Sequence, residues 1–298
     1  MIFDFRLKVF FTVAERLSFT RAANELFITQ PAVTKHILEL EQQLGVSLFK
    51  RKGNSIALTA AGQTLKLYAN KILQTYKELE FDLSRTNNTI KGQLRLGAST
   101  TVAQYVLPKI LALLNRQHNG LQIDLVTANT DQIEKLLIDE KIDFGIVEGT
   151  SNKPQILYQP FIKDEIVLVT RSKNKLSAKK EIKPNTLKTV PLVIRESGSG
   201  TLDVIDAALK KVGLNRKALT VQIQLGSTES IKQYLYHSDC AAFLSIHSIS
   251  KELGRNELSI IDVEGMSIYR TFQFINLRGN SSKTVNFFRK FCTSHYNL

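Results

Sequence analysis

Two cysteines in 298 residues, Cys240 and Cys292, are too few and too far apart for a disulfide framework, and neither stands in a CxxC or Cys/His spacing that would hold zinc. Both read as small packing residues. No eighteen apolar residues run together, so no segment reads as a membrane span. The opening stretch MIFDFRLKVFFTVAERLSF has no basic leader followed by a continuous apolar run, which gives the expectation of a soluble, cytoplasmic protein. Catalytic signatures are missing too. The five histidines, His36, His118, His237, His247 and His295, have no HExxH or GxSxG companion. The GSGT stretch from Gly198 to Thr201 lacks both GxxxxGK[ST] and GxGxxG spacing. Asp143, just ahead of an apolar run, reads as a turn residue and not as half of an acid/base pair. These absences argue against an enzyme, a metal site and a cofactor.

What is present is enough apolar content, 43%, for two or three compact units with cores. A formal charge of +13 favours a polyanionic partner such as nucleic acid, through phosphate neutralisation and counterion release. The charge is spread along the chain, however. Up to Ile90 there are 12 basic against 8 acidic residues, and 28 against 19 beyond it.

The first ninety residues carry helical periodicity. From Asp4 to Leu17, Leu7, Phe10, Phe11, Ala14 and Leu17 recur on one stripe. TRAANEL predicts a second helix with Thr20 as its N-cap. Thr29 caps a third, which puts Pro31 in the first turn, where its missing N–H costs nothing. Val33, Ile37, Leu40 and Leu44 form its inward stripe, Gly45 closes it, and Gln30, Thr34 and Lys35 face outward. SLFKRKGNSIALT then predicts two short strands around a tip at Lys52, Gly53 and Asn54, with Lys50, Arg51 and Lys52 leading to it. Helix face and charged turn are each unremarkable alone. Together they form a helix-turn-helix with a basic wing, whose third helix fits the major groove. From Thr59 to about Leu83, Leu65, Tyr68, Ile72, Tyr76, Leu79 and Leu83 step by three or four, a stripe that needs a partner surface. The same helix of a second copy is the natural partner.

After a polar hinge near Asn88 to Gly92, short β-rich runs alternate with helices, which predicts a mainly parallel sheet in two α/β lobes with a cleft between them. Three strands run into hydroxyl-rich loops that open helices: LRLGASTT, LVIRESGSGT and IQLGSTES. Free N–H groups and hydroxyls there suit a carboxylate or other oxyanion. Each loop alone is equally a helix cap, but loops converging on one cleft favour a small-molecule site. The candidate residues are Ser99, Thr100, Thr101, Thr127, Glu148, Ser197, Gly198, Ser199, Gly200, Thr201 and Thr228.

From end to end the chain resembles the LysR-type transcriptional regulators, most specifically over SFTRAANELFITQPAVTKHILELEQQLGVSLFKRKGNSIALTAAGQTL, Ser18 to Leu65. The resemblance implies α/β architecture overall: an all-α winged helix-turn-helix over residues 1–59, a linker helix and hinge over 60–91, and a two-lobed effector domain over 92–298 like periplasmic binding proteins. Lobe I is expected at 92–162 and 267–298, and lobe II at 163–266. It further implies a homodimer or homotetramer joined through Leu65, Tyr68, Ile72, Tyr76 and Leu79, and RNA polymerase as a partner. The DNA-facing set is Thr20, Gln30, Pro31, Thr34, Lys35, Lys50, Arg51, Lys52 and Asn54. Where the family often has Ser-Arg this chain has Thr34-Lys35, which keeps the hydroxyl but gives up the guanidinium fork, so Lys35 is expected on phosphate. Ser99, Thr101, Ser197, Ser199 and Thr201 match positions that members use for inducers. Glu148 replaces a hydroxyl, and a carboxylate offered to the cleft would disfavour a bare dianion. VEG and ESGSGT are similar to a branch associated with carbon, sulfur and nitrogen assimilation. Cys240 and Cys292 do not match the redox pair of peroxide-sensing members. A metabolite-binding protein without a DNA role is the competing reading, since the last two-thirds of the chain would suffice for it.

Overall fold

The computed structural model describes residues 4–52, 55–86, 92–279 and 282–296. The chain divides into two compact units, Met1–Thr89 and Ile90–Leu298.

In the first unit, α1 (Phe5–Arg16), α2 (Phe19–Leu26) and α3 (Gln30–Leu44) precede a two-stranded ribbon, β1 (Phe49–Lys52) and β2 (Ser55–Leu58), and a long helix, α4 (Ala60–Thr86). Local chemistry fixes the helix ends. The Asp4 carboxylate caps α1, and Leu17 ends it in the left-handed region at φ 45°. Ser18, not Thr20, caps α2 by accepting from the Arg21 N–H, so Thr20 lies in the first turn. Thr29 accepts from the Ala32 N–H at 3.3 Å to open α3, and Gly45 closes it at φ 68°. The core joins Val9, Phe10, Val13, Ala22, Ala23, Val33, Ile37, Leu40, Leu48 and Ala69. Two residues expected on inward stripes stand outside it. Leu17 and Leu44 are 47% and 45% exposed, because each is at or beside a helix terminus where the chain turns away. Glu41 accepts from the amides of Leu48, just ahead of the ribbon, at 2.6 Å and of Phe49, its first residue, at 3.3 Å, and so fastens the wing to α3.

The second unit is built on one sheet in the order β4-β3-β5-β12-β6-β10-β8-β9, with β11 also on β6 and β7 on β11. Its elements in chain order are β3 (Gly92–Ser99), α5 (Leu107–Gln117), β4 (Leu121–Ala128), α6 (Thr130–Ile138), β5 (Phe144–Val147), β6 (Ile156–Arg171), β7 (Glu181–Ile182), β8 (Leu192–Arg195), α7 (Gly200–Lys211), β9 (Val221–Leu225), α8 (Thr228–Tyr236), β10 (Ala241–Ser245), α9 (Ile246–Gly254), β11 (Leu258–Val263), β12 (Ile268–Leu277) and α10 (Lys283–His295). Parallel pairing holds within each lobe, β3 with β4 and β5, and β8 with β9 and β10. The middle is antiparallel, unlike the mainly parallel expectation. There β12 returns against β6 over its full length, because it carries the chain back from the second lobe to the first.

These two long strands pass through both cores. On β6, Ile162 joins the core of Leu96, Leu107, Phe144 and Phe288, whereas Ile166 joins that of Leu187, Leu192, Leu209 and Phe243. On β12, Phe272 belongs to the former and Ile268 to the latter. The residues between them in the same inward phase are Asp164 and Arg270, direct partners in the β6–β12 register. The seam between the two lobes is therefore charged.

Phe288 is fully buried on α10 and closes the first-lobe core against β3 and β5. Phe288→Ala is expected to cost about 3 to 5 kcal/mol of stability, measured by urea denaturation followed at the first-lobe aromatics. A loss below about 1 kcal/mol would mean that α10 does not close this core.

Candidate functional site

Two surfaces collect the residues singled out by sequence. The first is the outer side of α3. Gln30, Pro31 and Lys35 are exposed and Thr34 is half-buried. An open hollow on this side is lined by Gln30, Pro31, Thr34, Lys35, Leu38, Glu39 and Gln42. The Gln30 amide donates to Thr34 Oγ1 at 3.1 Å, and Thr34 donates back to the Gln30 carbonyl at 3.1 Å, so the two side chains are positioned as a pair. Lys35 lies 3.9 Å from Glu39 with 76% of its side chain exposed, which leaves the ammonium available. Phe27, in the left-handed turn before α3, is 94% exposed, and sequence reasoning passed over it. Lys50 is exposed on β1, Arg51 and Lys52 continue that strand with side chains outside the described residues, and Asn54 lies outside them altogether.

Along α4, Tyr68, Ile72 and Leu79 are 60%, 40% and 40% exposed, and Leu67 and Leu83 join them at 69% and 51%. Tyr76 is half-buried. Leu65 is half-buried and packs against the core of its own unit, where the first turns of α4 close that core beside α1. The hinge residues 88–91 lie outside the described residues.

The second site is the seam between the lobes. Glu148, at the carboxyl end of β5, is 2% exposed and its carboxylate is fully engaged. Ser99 donates to Oε2. Oε1 accepts from Thr101 at 3.4 Å and Thr201 at 3.2 Å, and lies 3.4 Å from Arg270 Nη1. The Arg270 guanidinium donates through Nη1 to Thr201 Oγ1 at 2.7 Å and through Nε to Asp164 Oδ2 at 2.6 Å. Ser245 donates to Asp164 Oδ1 at 2.6 Å. Burial of three charges is tolerated only because each is paired and hydrogen-bonded. The Glu148 carboxylate, which the sequence offered to the cleft, is here paired with Arg270 and hydroxyls from both sides of the seam. Arg270, Asp164 and Ser245 were missed, although one signal was readable: in IYRTFQF, Arg270 falls in phase with Ile268, Phe272 and Phe274.

Backbone contacts reinforce the seam. A Cβ on Gly200 would collide with the Glu148 carbonyl, and one on Gly149, at φ +122°, would sit 2.9 Å from the Gly200 Cα. Two adjoining glycines let the start of α7 rest directly on the end of β5. Thr130 donates to the Glu148 carbonyl at 2.7 Å, Asn129 Nδ2 to the Ser197 carbonyl at 3.4 Å, and the Asp131 N–H to the Gly198 carbonyl at 3.3 Å. Arg195 Nη2 donates to Thr100 Oγ1 at 3.0 Å. Ser99, Thr100, Thr101, Gly198, Ser199, Gly200 and Thr201 are therefore brought together with Glu148. Ser197 shows its carbonyl to the seam and is otherwise exposed, Thr228 is buried at the start of α8, and Thr127 is exposed on edge strand β4.

A second inter-lobe contact lies where a π-helical turn, Val102–Val106, leads into α5. Tyr105 donates to Glu229 on α8, and its ring lies 5.1 Å from the Lys232 ammonium. Lys232 in turn reaches Glu229 at 2.8 Å and Glu252 at 2.7 Å. Burial and the Glu229 partner push the Tyr105 hydroxyl well above the usual phenol range. Partial burial opposes ionisation of Glu229, but donation from Lys232 and Tyr105 outweighs it and holds that carboxyl below its ordinary value.

The comparisons with known proteins cover both units. The family described as "Bacterial regulatory helix-turn-helix protein, lysR family" matches residues 5–63, and "LysR substrate binding domain" matches 87–297. A probable RuBisCO transcriptional regulator of Trieres chinensis is 31% identical over 291 residues, covering 95% of this chain and 94% of the relative. The transcriptional regulator CysL of Bacillus subtilis (strain 168) is 29% identical over 270 residues, 91% of this chain and 89% of the relative. Among solved structures, the regulatory domain of CcmR from Synechocystis PCC6803 in complex with 2-PG is 27% identical with a TM-score of 0.63, covering 69% of this chain and 98% of that one.

Removing the guanidinium that pairs with both Glu148 and Asp164 while leaving the two carboxylates buried is a severe change. Arg270→Met is expected to destabilise the second unit by about 3 to 5 kcal/mol. Adding Glu148→Met should recover part of that loss, because it removes one uncompensated charge. Urea titrations of both variants check this; a double variant no more stable than Arg270→Met alone would deny the coupling.

Proposed function

As a member of the LysR-type transcriptional regulators, the chain is a DNA-binding regulator with an effector-binding domain, and we propose how its parts divide that work. Residues 1–59 are the winged helix-turn-helix, 60–91 the linker helix and hinge, and 92–298 the effector domain, with lobe I at 92–162 and 267–298 and lobe II at 163–266. α3 enters the major groove with Gln30, Pro31 and Thr34 toward the bases and Lys35 on phosphate, while Thr20, Lys50, Arg51, Lys52 and Asn54 flank the duplex. The observation that carries this reading is the polar strip Gln30, Thr34, Lys35 on a helix whose opposite side is core. The effector is a small molecule held at the lobe seam by Ser99, Thr100, Thr101, Ser199 and Thr201 around Glu148. That a similar regulatory domain was solved with 2-PG supports such an effector, and relatives named for RuBisCO regulation favour an assimilatory target.

The exposed apolar stripe of α4 supports a homo-oligomer, dimer or tetramer, joined through paired linker helices, which acts in the cytoplasm by contacting RNA polymerase. Catalysis has no part in this reading.

Sequences selected from a randomised DNA pool by the full chain provide the probe. Lys35→Ala should weaken binding alike on all sequences and flatten the salt dependence by about one unit of slope. Thr34→Ala should change the preferred bases. Gel-shift titrations in which neither variant differs from the parent would take α3 out of the groove. For assembly, Ile72→Ser with Leu79→Ser should yield a folded monomer by light scattering. A dimer that survives this change would place the interface elsewhere.

A further inference from the structure

We propose that Glu148 is a tethered occupant of a carboxylate site, and that the effector is a small molecule whose singly charged carboxylate takes its place. This rests on the reading of the lobe seam as the effector site and names the chemistry of what binds there.

The side chain is held as a bound carboxylate would be. One oxygen accepts from Ser99, the other from Thr101 and Thr201, and the guanidinium of Arg270 lies 3.4 Å away. These donors come from separate segments: the end of β3, the residue that follows it by two, the first turn of α7, and β12. Two further donors at the same place have no partner among the described residues. Ser199 Oγ, 1% exposed at the N-cap of α7, makes no capping bond, and Arg270 Nη2 is buried and unsatisfied. A cluster serving stability alone would use its donors, since each unsatisfied buried one costs free energy. Surplus donors fit an occupant with more acceptor capacity than one tethered side chain can present. The N–H groups opening α7, a twelve-residue helix, point the same way.

Charge decides the class of that occupant. Arg270 faces two buried carboxylates, Glu148 and Asp164, so the cluster already carries one net negative charge. Asp164 is fixed by Ser245 and by its cross-strand place, whereas Glu148 is followed by Gly149 at φ +122° and a loop. Glu148 is the residue free to leave. Exchange of its carboxylate for another keeps the buried charge constant, whereas a dianion would add to it. Among the described residues the other basic side chains at the seam are Arg195, already paired with Glu196, and His247, which stands 3.9 Å from Asp164. Because Ser99 and Thr101 sit on one lobe and Thr201 on the other, an occupant of different size prefers a different lobe spacing, and that differential affinity is what shifts the equilibrium.

The test uses acetate and sulfate as probes at matched ionic strength, with the full chain, its Glu148→Ala variant, and Glu148→Ala combined with Thr201→Val. Thermal melting is followed against probe concentration. Acetate should stabilise Glu148→Ala with a midpoint at least tenfold below that of the parent, sulfate should do so less, and Thr201→Val should remove the difference. Glu148→Gln, which keeps the hydroxyl partners, carries the same comparison should Glu148→Ala not fold, with the acetate midpoint again lower than in the parent. Equal midpoints in parent and variant, equal effects of acetate and sulfate, or a response untouched by Thr201→Val would each overturn the proposal. If selected DNA sequences are still bound while these responses fail, the tethered-carboxylate inference alone falls. If DNA binding fails as well, so does the regulator reading on which it rests.

Discussion

Arg270 is the charge on which the second unit turns. Its guanidinium meets Asp164 across the β6–β12 register and Glu148 from β5, so three strands are tied at one buried point. The attraction in a low-dielectric interior is large, but so is the desolvation of three charges, and the balance stays favourable only with most lone pairs occupied. Ser99, Thr101, Thr201 and Ser245 supply that occupation. The apolar cores on either side make no such demand. Ile162 and Phe272 on one side, and Ile166 and Ile268 on the other, would allow the lobes to join through an apolar seam. Polar pairing there gives the joint a directional geometry, and geometry can be altered by a ligand.

The two halves of the protein solve different problems with the same material. In the first unit, helix ends are fixed by Asp4, Ser18 and Thr29, and the side of α3 away from the core is left polar and exposed. In the second, hydroxyls and helix starts of the same kind are turned inward, toward Glu148. The charge of the chain follows this division only weakly, since basic residues are spread over both units. Placement of a few side chains, and not net charge, separates reading DNA from sensing a metabolite.

Much of this is legible in the sequence. Pro31 and Gly45 bracket α3 in the sequence because their backbone preferences are local. The hydroxyl loops at Ser99 and Ser199 were legible for the same reason: strands ending in Ser and Thr before helices mark the carboxyl edge of an α/β sheet. The pairing of Glu148 with Arg270 was not. Arg270 is bonded to residues 69 and 106 positions away in sequence, and nothing local says which buried carboxylate an inward arginine will meet. Leu65 shows the opposite limit. Its spacing fits the exposed stripe of α4, yet the residue also packs against the core of the first unit.

The most direct test of the central claim is a crystal structure of the full chain grown with a saturating small carboxylate. The ligand's carboxylate is expected within hydrogen-bond distance of Ser99, Thr101, Thr201 and Arg270, with Ser199 Oγ engaged and the Glu148 side chain rotated out of the seam. A ligand bound elsewhere, with Glu148 still accepting from Ser99 and Thr201, would contradict it.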